Sequence, residues 1–234
     1  MLKNLLITGK PRSGKSTLLN KILSTFNDKI GFVTNEVREN GERIGFDIVT
    51  HNGTKTRLAD VKFNSPYKVS RYYVKPETLD SVVSEVETFG NKDLLYLDEI
   101  GQMQLFSERF KKLALAYFDS PNTVIATVSK VYTDSFTEEI KKRPDAYLVE
   151  ITESNRDGSL EKILMLIKKI NKAKVYSKEP DRFKLKQLEV EMKSEHDARQ
   201  IYFENDEWKC SCGFYEKNKI CSHIIALKEI IKIK

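Results

Sequence analysis

The feature that most limits how this chain can fold is a glycine-containing loop near its amino terminus. The loop reads GKPRSGKS over residues 9–16, follows the apolar segment LLIT at 5–8, and precedes a segment at 17–23 with apolar residues at helical spacing. Glycines let such a chain turn with its backbone N–H groups directed inward, where they and the positive end of the following helix bind phosphate. The pattern GxxxxGKS between a strand and a helix therefore predicts a P-loop (Walker A motif).

The side chains of this loop predict how a nucleotide would be held. Lys15 is expected to reach the β- and γ-phosphates, and the Ser16 hydroxyl is expected to ligate Mg²⁺. The alternative is an ordinary glycine turn between a strand and a helix. The nucleotide-binding residues predicted from the loop are Gly9, Lys10, Pro11, Arg12, Ser13, Gly14, Lys15, Ser16 and Thr17.

A second motif supplies carboxylates for the same metal ion. The segment DLLYLDEIGQM at 93–103 has the pattern of a buried strand that ends in Asp98 and Glu99, which is a Walker B motif. We expect Asp98 to hold Mg²⁺ through water and Glu99 to orient or deprotonate the attacking water, a role that favours hydrolysis over transfer to a bulky acceptor. Lys15, Asp98 and Glu99 are thus the predicted catalytic residues. The alternative is a solvated strand end.

Strand and helix patterns alternate along the chain to about residue 170, which predicts an α/β layer with a mainly parallel sheet. The segment at 30–37 has a strand pattern and leads into a hairpin that turns at Asn40-Gly41, a dipeptide suited to a type I′ turn. The strand TVIATVS at 123–129 places Thr127 and Ser129 beside the Walker acids if the two strands are neighbours. These hydroxyls are candidate sensors of the γ-phosphate, or they merely finish the strand.

Four segments of this part resemble the nucleoside-triphosphatase family of thermophilic and cancer-related type. They are ITGKPRSGKSTL, GFVTNEVRENGERIGFDIVT, YLDEIGQMQLFSERF and ITESNRD, in that order. The resemblance implies a P-loop fold, slow hydrolysis of NTPs with tolerance for the base, and a requirement for Mg²⁺. It also makes Arg38, Arg43 and Arg156 candidates for contacting phosphate, base or the charge of the transition state. The alternative for these arginines is salt bridges within the hairpin and at the start of the last helix.

Two positions depart from the family's pattern. Gln104 stands where relatives commonly have glutamate, and Asn35 replaces the usual acid ahead of Glu36. The amide of Gln104 cannot supply the carboxylate that relatives have at this position.

All three cysteines lie in the segment KCSCGFYEKNKICSH at 209–223. Cys210 and Cys212 are two residues apart, and Cys221 and His223 repeat that spacing. Thiols stay reduced in the cytoplasm, so an odd number of clustered cysteines favours metal binding over a disulfide. Four such donors suit a closed tetrahedral Zn²⁺ site, which would be structural because it leaves no position for a catalytic water. The alternative is three small buried hydrophobic residues.

The pattern CxCx8CxH, with Trp208 just ahead of it, resembles the SWIM-type zinc finger over roughly residues 180–230. Two strand patterns, at 182–194 and 198–210, precede the cysteines, and a helix is predicted from His223 onward. The resemblance implies that this unit binds DNA or a protein. A basic surface with Tyr202, Phe203 or Tyr215 exposed would serve either partner. The remaining histidines, His51 and His196, are expected on the surface.

These observations predict an α/β P-loop NTPase domain at 1–172, a polar linker at 173–180, and a small α+β SWIM-type zinc-finger domain at 181–234. We find no apolar run near the roughly 20 residues that cross a bilayer, and the first ten residues are too weakly apolar for a signal peptide, so a cytoplasmic protein is expected. The 40 Lys and Arg against 34 Asp and Glu give a net charge of +6, which permits contact with nucleic acid without requiring it.

The function predicted from the sequence is a Mg²⁺-dependent nucleoside triphosphatase whose zinc finger couples the state of the nucleotide to a nucleic acid or protein partner. Two alternatives stay open at this point. One is a P-loop kinase that passes phosphate to a nucleoside or a polynucleotide end, although the adjacent Asp98 and Glu99 favour water as the acceptor. The other is an adaptor in which the nucleotide only switches the affinity of the zinc unit.

Overall fold

The computed structural model describes residues 1–193 and 197–231, and the chain divides into two compact units, Met1–Ile170 and Asn171–Lys234. His196 and the last three positions of the predicted carboxyl-terminal helix, 232–234, lie outside the described residues. His51, expected on the surface, is partly buried. None of the described helices combines the length and the apolar character needed to cross a bilayer.

The first unit, all of whose residues to 170 are described, is built on a nine-stranded sheet with the strand order β5-β6-β4-β3-β2-β7-β8-β1-β9. The strands are β1 (Asn4–Gly9), β2 (Lys29–Glu39), β3 (Glu42–Thr50), β4 (Lys55–Asp60), β5 (Tyr67–Val69), β6 (Tyr72–Val74), β7 (Leu94–Ile100), β8 (Thr123–Ser129) and β9 (Ala146–Ile151). The helices are α1 (Lys15–Leu23), α2 (Pro76–Val86), α3 (Glu108–Asp119), α4 (Ser135–Lys141) and α5 (Arg156–Tyr176), with a 3-10 turn at Gln104–Phe106.

The strands β2, β7, β8, β1 and β9 are mutually parallel, as predicted. Parallel strands end at one edge of the sheet, so this arrangement brings the carboxyl ends of β1, β7 and β8 together. Gly9 at the end of β1 is in register with Ser129 at the end of β8. The predicted α/β class is confirmed, and the motifs meet at one edge.

The other half of the sheet is antiparallel and was not identified from the sequence beyond its first hairpin. The predicted turn at Asn40-Gly41 joins β2 to β3, with both residues in the left-handed region at φ 49° and 82°. A type I′ turn requires that conformation. β4, β6 and β5 then extend the sheet beyond β3. The predicted parallel layer therefore occupies only one side of a mixed sheet.

Two apolar clusters hold the helices on the sheet. On one face α1 buries Leu18, Leu19, Ile22 and Leu23 against side chains of β1 and α5. The other cluster packs α2, α3 and α4 against buried sheet residues that do not belong to the first cluster. Each fully buried leucine or isoleucine stabilises the fold by roughly 1.5–3 kcal/mol, so the apolar face of α1 fixes the helix that follows the glycine loop.

The second unit contains a three-stranded antiparallel sheet of β10 (Gln187–Lys193), β11 (Ala198–Glu204) and β12 (Glu207–Cys210), counted over its described residues, with α6 (Gly213–Asn218) and α7 (Ser222–Ile231). The segment predicted as one strand at 198–210 is a hairpin, because Asn205 and Asp206 both adopt left-handed conformations, with φ 52° and 63°. The segment between the two ligand pairs contains α6. α5 continues to Tyr176, so residues 173–176 of the predicted linker are helical.

Candidate functional site

The glycine loop leaves the start of α1 open to an anion. Gly14 occupies the N-cap position in a left-handed conformation, with φ 96° and ψ 15°, and no side chain of the described residues caps the helix. Ser13 N–H donates to the Lys10 carbonyl at 3.1 Å, which closes the loop on itself. The Lys15 ammonium group donates to the carbonyls of Gly9 and Lys10, at 3.3 and 3.4 Å. The lysine thus lies over the loop, next to the amides that would hold phosphate.

Asp98 is the point where the two predicted motifs meet. The Ser16 hydroxyl on α1 donates to Asp98 Oδ1 at 3.2 Å, and the Thr127 hydroxyl on β8 donates to the same oxygen. The Thr34 hydroxyl on β2 donates to the backbone carbonyl of Asp98. Hydroxyls from three elements therefore position this carboxylate and its peptide. Thr127, one of the two candidate sensors, contacts the Walker acid directly.

The electrostatics of the Walker acids reflects their burial. Desolvation raises the pKa of Asp98, although the hydrogen bonds from Thr127 and Ser16 and the charge of Lys15 act in the opposite direction. Desolvation also raises the pKa of Glu99; the Lys15 charge opposes this shift and the charge of Asp98 adds to it. Ser16, the neighbour of Lys15 in the chain, donates to Asp98, the neighbour of Glu99, so the three predicted catalytic residues lie at the same edge of the sheet.

The donor set fits a Mg²⁺ ion. Magnesium prefers hard oxygen ligands and keeps several waters, so a serine hydroxyl and one aspartate suffice as its protein ligands. Asp98 is only 1% exposed, and its Oδ2 has no hydrogen-bond partner within the described chain. A buried carboxylate oxygen without a partner is costly, and a cation or a water bound to it would satisfy that oxygen.

Two cavities adjoin the loop on the side of residues 150–160. One of about 670 Å³ lies between residues 10–13 and residues 150–154, and the other, of about 490 Å³, lies between α1 and the start of α5. Arg156 lines the second cavity beside Gly14 and Thr17, so the structure places this predicted residue at the loop. Its guanidinium group is 3.7 Å from the neighbouring Asp157 carboxylate.

Ser129, the second candidate sensor, accepts a hydrogen bond from Tyr132 N–H at 3.0 Å, which is the local role expected of a hydroxyl that finishes a strand.

Arg38 and Arg43 make the salt bridges that were the alternative to phosphate contact. Arg38 Nη2 lies 2.6 Å from Glu36 Oε2, and Arg43 Nη1 lies 2.5 Å from Glu36 Oε1. Burial acts to raise the pKa of Glu36, but the hydrogen bonds from Arg38 and Arg43 outweigh this effect and lower that pKa. Both guanidinium groups nevertheless also line a cavity that includes Arg12 of the loop.

The second unit brings together the four predicted zinc ligands. The ligand atoms of Cys210, Cys212, Cys221 and His223 all lie within 4.8 Å of one another. Cys210 Sγ is 3.6 Å from His223 Nδ1, and the three cysteines form no disulfide. Zinc bonds of about 2.0–2.3 Å in a tetrahedron separate their ligand atoms by about 3.3–3.8 Å. The 3.6 Å between Cys210 Sγ and His223 Nδ1 matches this range, so the cluster fits a Zn²⁺ ion. The cysteines pack with Ile201, Ile224 and Leu227 in the core of this unit.

Tyr215 supports the cysteine cluster. Its backbone N–H donates to Cys212 Sγ at 3.4 Å, and its hydroxyl donates to the Trp208 carbonyl. Burial acts to raise the pKa of Cys212. The hydrogen bond from the Tyr215 N–H and the neighbouring ligand groups outweigh it and lower that pKa to about 7, which favours the thiolate that binds zinc.

The expectation of exposed Phe203 is wrong, because its ring is buried against Trp208. Tyr202 is exposed as expected, at 39%.

Comparison with known proteins decides the family of the first unit. The NTPase family matches residues 4–164, and a nucleoside-triphosphatase THEP1 from Thermotoga is 42% identical over 166 residues, covering 70% of this chain and 95% of that protein. This chain belongs to the NTPase family. Human cancer-related nucleoside-triphosphatase is 30% identical over 190 residues, covering 74% of this chain and all of the human protein.

Solved structures agree with this assignment. The crystal structure of THEP1 from Aquifex aeolicus matches with a TM-score of 0.64 at 34% identity, covering 70% of this chain and 98% of that one. The solution structure of the human relative matches with a TM-score of 0.62 at 30% identity, covering 70% and 97%. The SWIM zinc finger matches residues 199–232. Both resemblances drawn from the sequence are thus confirmed.

Two residues of the NTPase site were missed as contributors to it. Thr34 and Gln104 hold the Asp98 peptide in place, since Gln104 Nε2 donates to Thr34 Oγ1 at 3.2 Å and Thr34 donates to the Asp98 carbonyl. Gln104 is buried, at 4% exposed. The signal in the sequence was a glutamine shortly after the predicted Walker B strand; the structure shows that it is buried, and a buried amide requires hydrogen-bond partners.

We expect Gly9→Ala to destabilise the first unit by about 1–3 kcal/mol, because a β-carbon there would overpack the loop. It would lie 2.5 Å from the Ile151 carbonyl oxygen and 2.6 Å from Ser13 Oγ. Urea unfolding measures the change. Gly158→Ala is the matched control: apart from its chain neighbours and the backbone of its own helix, no atom of the described chain lies within 4 Å of the added β-carbon, and alanine is favoured in a helix. Equal stability of the two variants would contradict the crowding at Gly9.

Proposed function

We propose that this protein is a Mg²⁺-dependent nucleoside triphosphatase that hydrolyses NTP to NDP and phosphate with tolerance for the base. The observation that supports it most is the convergence on Asp98 of hydroxyls from α1 and β8, with Lys15 acting on both Walker acids. The names of the relatives, nucleoside-triphosphatase THEP1 and cancer-related nucleoside-triphosphatase, agree with this activity.

Each residue of the site has a role in the proposed reaction. The amides of the loop at 9–17 hold the phosphates, and Lys15 places its charge where negative charge develops on the β- and γ-phosphate oxygens. Ser16 and Asp98 would hold Mg²⁺, which supplies charge neutralisation at the phosphates when it is bound. Glu99 orients the attacking water and accepts its proton, a role that its raised pKa suits better than that of a solvated carboxylate.

Arg156 is proposed to contact the nucleotide because it lines a cavity with Gly14 and Thr17 of the loop. Arg38 and Arg43 remain candidates for contact with phosphate, since they share a cavity with Arg12. Ser129 is the weaker of the two candidate sensors, because its hydroxyl is engaged by Tyr132.

For the second unit we propose a structural zinc ion held by Cys210, Cys212, Cys221 and His223, in a module that binds nucleic acid or a protein partner. The closed ligand set leaves no position for a substrate. Exposed aromatic rings of Tyr202 and Phe214, 39% and 63% exposed, are available for stacking or packing against such a partner. The proposed division of the chain is an NTPase domain at 1–172, a linker at 173–180 and a zinc-finger domain at 181–234, and the three free thiols suit the cytoplasm.

The test of the nucleotide site compares Lys15→Ala with Lys112→Ala, which removes an exposed lysine on α3. We expect Lys15→Ala to weaken nucleotide binding about tenfold or more, because it removes charge-assisted hydrogen bonds worth roughly 1.5–3 kcal/mol. Lys112→Ala is expected to match the wild type. Binding is measured with a fluorescent nucleotide, and turnover as released phosphate. Equal affinity in both variants would contradict the site.

The fate of a labelled γ-phosphate separates hydrolysis from transfer to another acceptor. With γ-labelled NTP and added nucleosides or polynucleotide ends, we expect the label only in orthophosphate. Label in an organic acceptor would favour the kinase, and nucleotide binding without turnover, with or without nucleic acid, would favour the adaptor.

A further inference from the structure

A third cavity beside the glycine loop is lined mainly by arginines. It has a volume of about 250 Å³ and lies between the loop and the β2-β3 and β5-β6 hairpins. Its lining residues are Arg12, Arg38, Arg43, Ser70, Arg71 and Tyr72. We refer to it as the arginine cavity. All of its residues belong to the first unit.

The guanidinium groups are held in place by several hydrogen bonds. Arg43 Nε donates to the Tyr72 hydroxyl at 2.9 Å, and Arg71 Nε donates to the same oxygen at 3.3 Å. Arg71 also donates through Nη2 to the Arg43 carbonyl, and Arg38 Nη1 donates to the Gly41 carbonyl at 3.0 Å. Tyr72 itself is 4% exposed. A buried tyrosine therefore orients two arginines, of which Arg71 is exposed and Arg43 is 33% exposed in its side chain.

The charges of the cavity are not balanced by the protein. Four guanidinium groups line it, and a single carboxylate, Glu36, pairs with Arg38 and Arg43. Within residues 1–193 and 197–231, neither Arg12 nor Arg71 forms an ion pair with an acidic side chain. Like charges held this close repel each other unless an anion lies between them. Planar guanidinium donors are the groups best suited to a tetrahedral phosphate oxyanion.

The arginine cavity is separate from the predicted cradle of the substrate's phosphates. Lys15, Ser16, Asp98 and Glu99 do not line it, and Arg12 is the one residue of the 9–17 loop that does. Its volume lies below the roughly 300–1,000 Å³ of pockets that enclose drug-sized ligands, so it suits a small anion rather than a nucleotide.

We propose that the arginine cavity binds orthophosphate, as a second anion site next to the nucleotide. Arg71 and Arg12 supply the unpaired charges, and Arg38 and Arg43 complete the ring of donors. This proposal rests on the proposed function only for the source of the ligand, because NTP hydrolysis beside the cavity would release orthophosphate. The same chemistry fits the terminal phosphate of the bound NTP, and the test below separates the two.

The test is a calorimetric titration of orthophosphate into the full-length protein without nucleotide. We expect Arg71→Gln to weaken binding about tenfold or more, since one lost charge-assisted interaction of about 1.4 kcal/mol or more corresponds to that factor. Arg71→Lys, which keeps the charge, is expected to bind with intermediate affinity. Arg109→Gln, the matched control, removes an arginine on α3 that pairs with Glu87, and is expected to bind like the wild type.

The outcomes separate the two sources of phosphate. Orthophosphate binding that survives in Lys15→Ala and is lost in Arg71→Gln supports the proposal, provided that circular dichroism shows both variants folded. Binding that depends on Lys15 and is indifferent to Arg71 would place the anion in the glycine loop and overturn it, as would a wild type that binds no orthophosphate. A weakened affinity of Arg71→Gln for a non-hydrolysable NTP, with orthophosphate binding unchanged, would instead assign the cavity to the terminal phosphate. Because the titration involves no turnover, a failure of NTP hydrolysis leaves its result unaffected.

Discussion

Glu99→Gln is expected to lower the rate of NTP hydrolysis about a hundredfold or more while nucleotide binding is preserved. A general base contributes roughly 10²–10⁴ to a rate, and glutamine can orient a water molecule but cannot accept its proton. Glu99 follows the metal-binding candidate Asp98 at the end of β7, and burial raises its pKa. Phosphate release under saturating NTP and Mg²⁺ measures the rate, and a fluorescent nucleotide measures the affinity.

The matched control for this prediction is Glu139→Gln, which removes an exposed carboxylate on α4. It carries the same change of charge and is expected to hydrolyse NTP at the rate of the wild type. Turnover of Glu99→Gln equal to that of Glu139→Gln would remove Glu99 from the mechanism. Loss of both binding and turnover, with the fold intact, would instead show that Glu99 supports the nucleotide rather than the water.

The positions of the predicted catalytic residues could be inferred from the sequence because their signals are local. A glycine loop between a strand and a helix fixes where Lys15 and Ser16 lie, and an apolar strand ending in acids fixes Asp98 at the same sheet edge. The contact of Thr127 with Asp98 required one further step, namely that β8 is the neighbour of β7. Parallel order in a doubly wound sheet makes that neighbour a reasonable expectation.

The antiparallel half of the sheet could not be predicted in the same way. β5 and β6 are only three residues long each, which is too short for an alternating pattern to emerge. Their pairing depends on contacts between residues distant in the sequence, such as Arg71 and Tyr72 with Arg43. Arg71 could therefore not be predicted as a site residue. Arg38 and Arg43 of the same cavity were predicted because their hairpin segment resembles the sequence of the family.

In the second unit the sequence predicts the ligands better than the elements that carry them. The spacing of the cysteines and the histidine matches that of a SWIM zinc finger, while the strand pattern at 198–210 does not show the turn at Asn205-Asp206. Phe203 was wrongly expected to be exposed. The alternation of apolar and polar residues along a strand does not reveal which face of a small sheet is covered. The core of this unit is assembled around the cysteines themselves, with Ile201 at 1% exposed.

Because the cysteines form that core, we expect Cys210→Ser to abolish tight zinc binding and the folded state of the second unit. The wild type is expected to hold about one zinc per chain, and the variant close to none after dialysis against a chelator. Structural zinc contributes roughly 10–16 kcal/mol of apparent binding free energy in zinc-finger peptides, which greatly exceeds what so small a core supplies. Metal content is measured by atomic emission, and folding by proteolysis of the second unit.

The control for Cys210→Ser is Lys209→Ser, an exposed position on the same strand, which is expected to keep its zinc and its resistance to protease. NTP hydrolysis measured without a partner is expected to be the same in both variants, since the Walker residues all belong to the unit Met1–Ile170. A wild type without zinc, or a Cys210→Ser variant that retains both zinc and protease resistance, would contradict the ligand set. A metal-free second unit that stays folded would show that Ile201, Ile224 and Leu227 suffice as its core, and that the metal serves something other than folding.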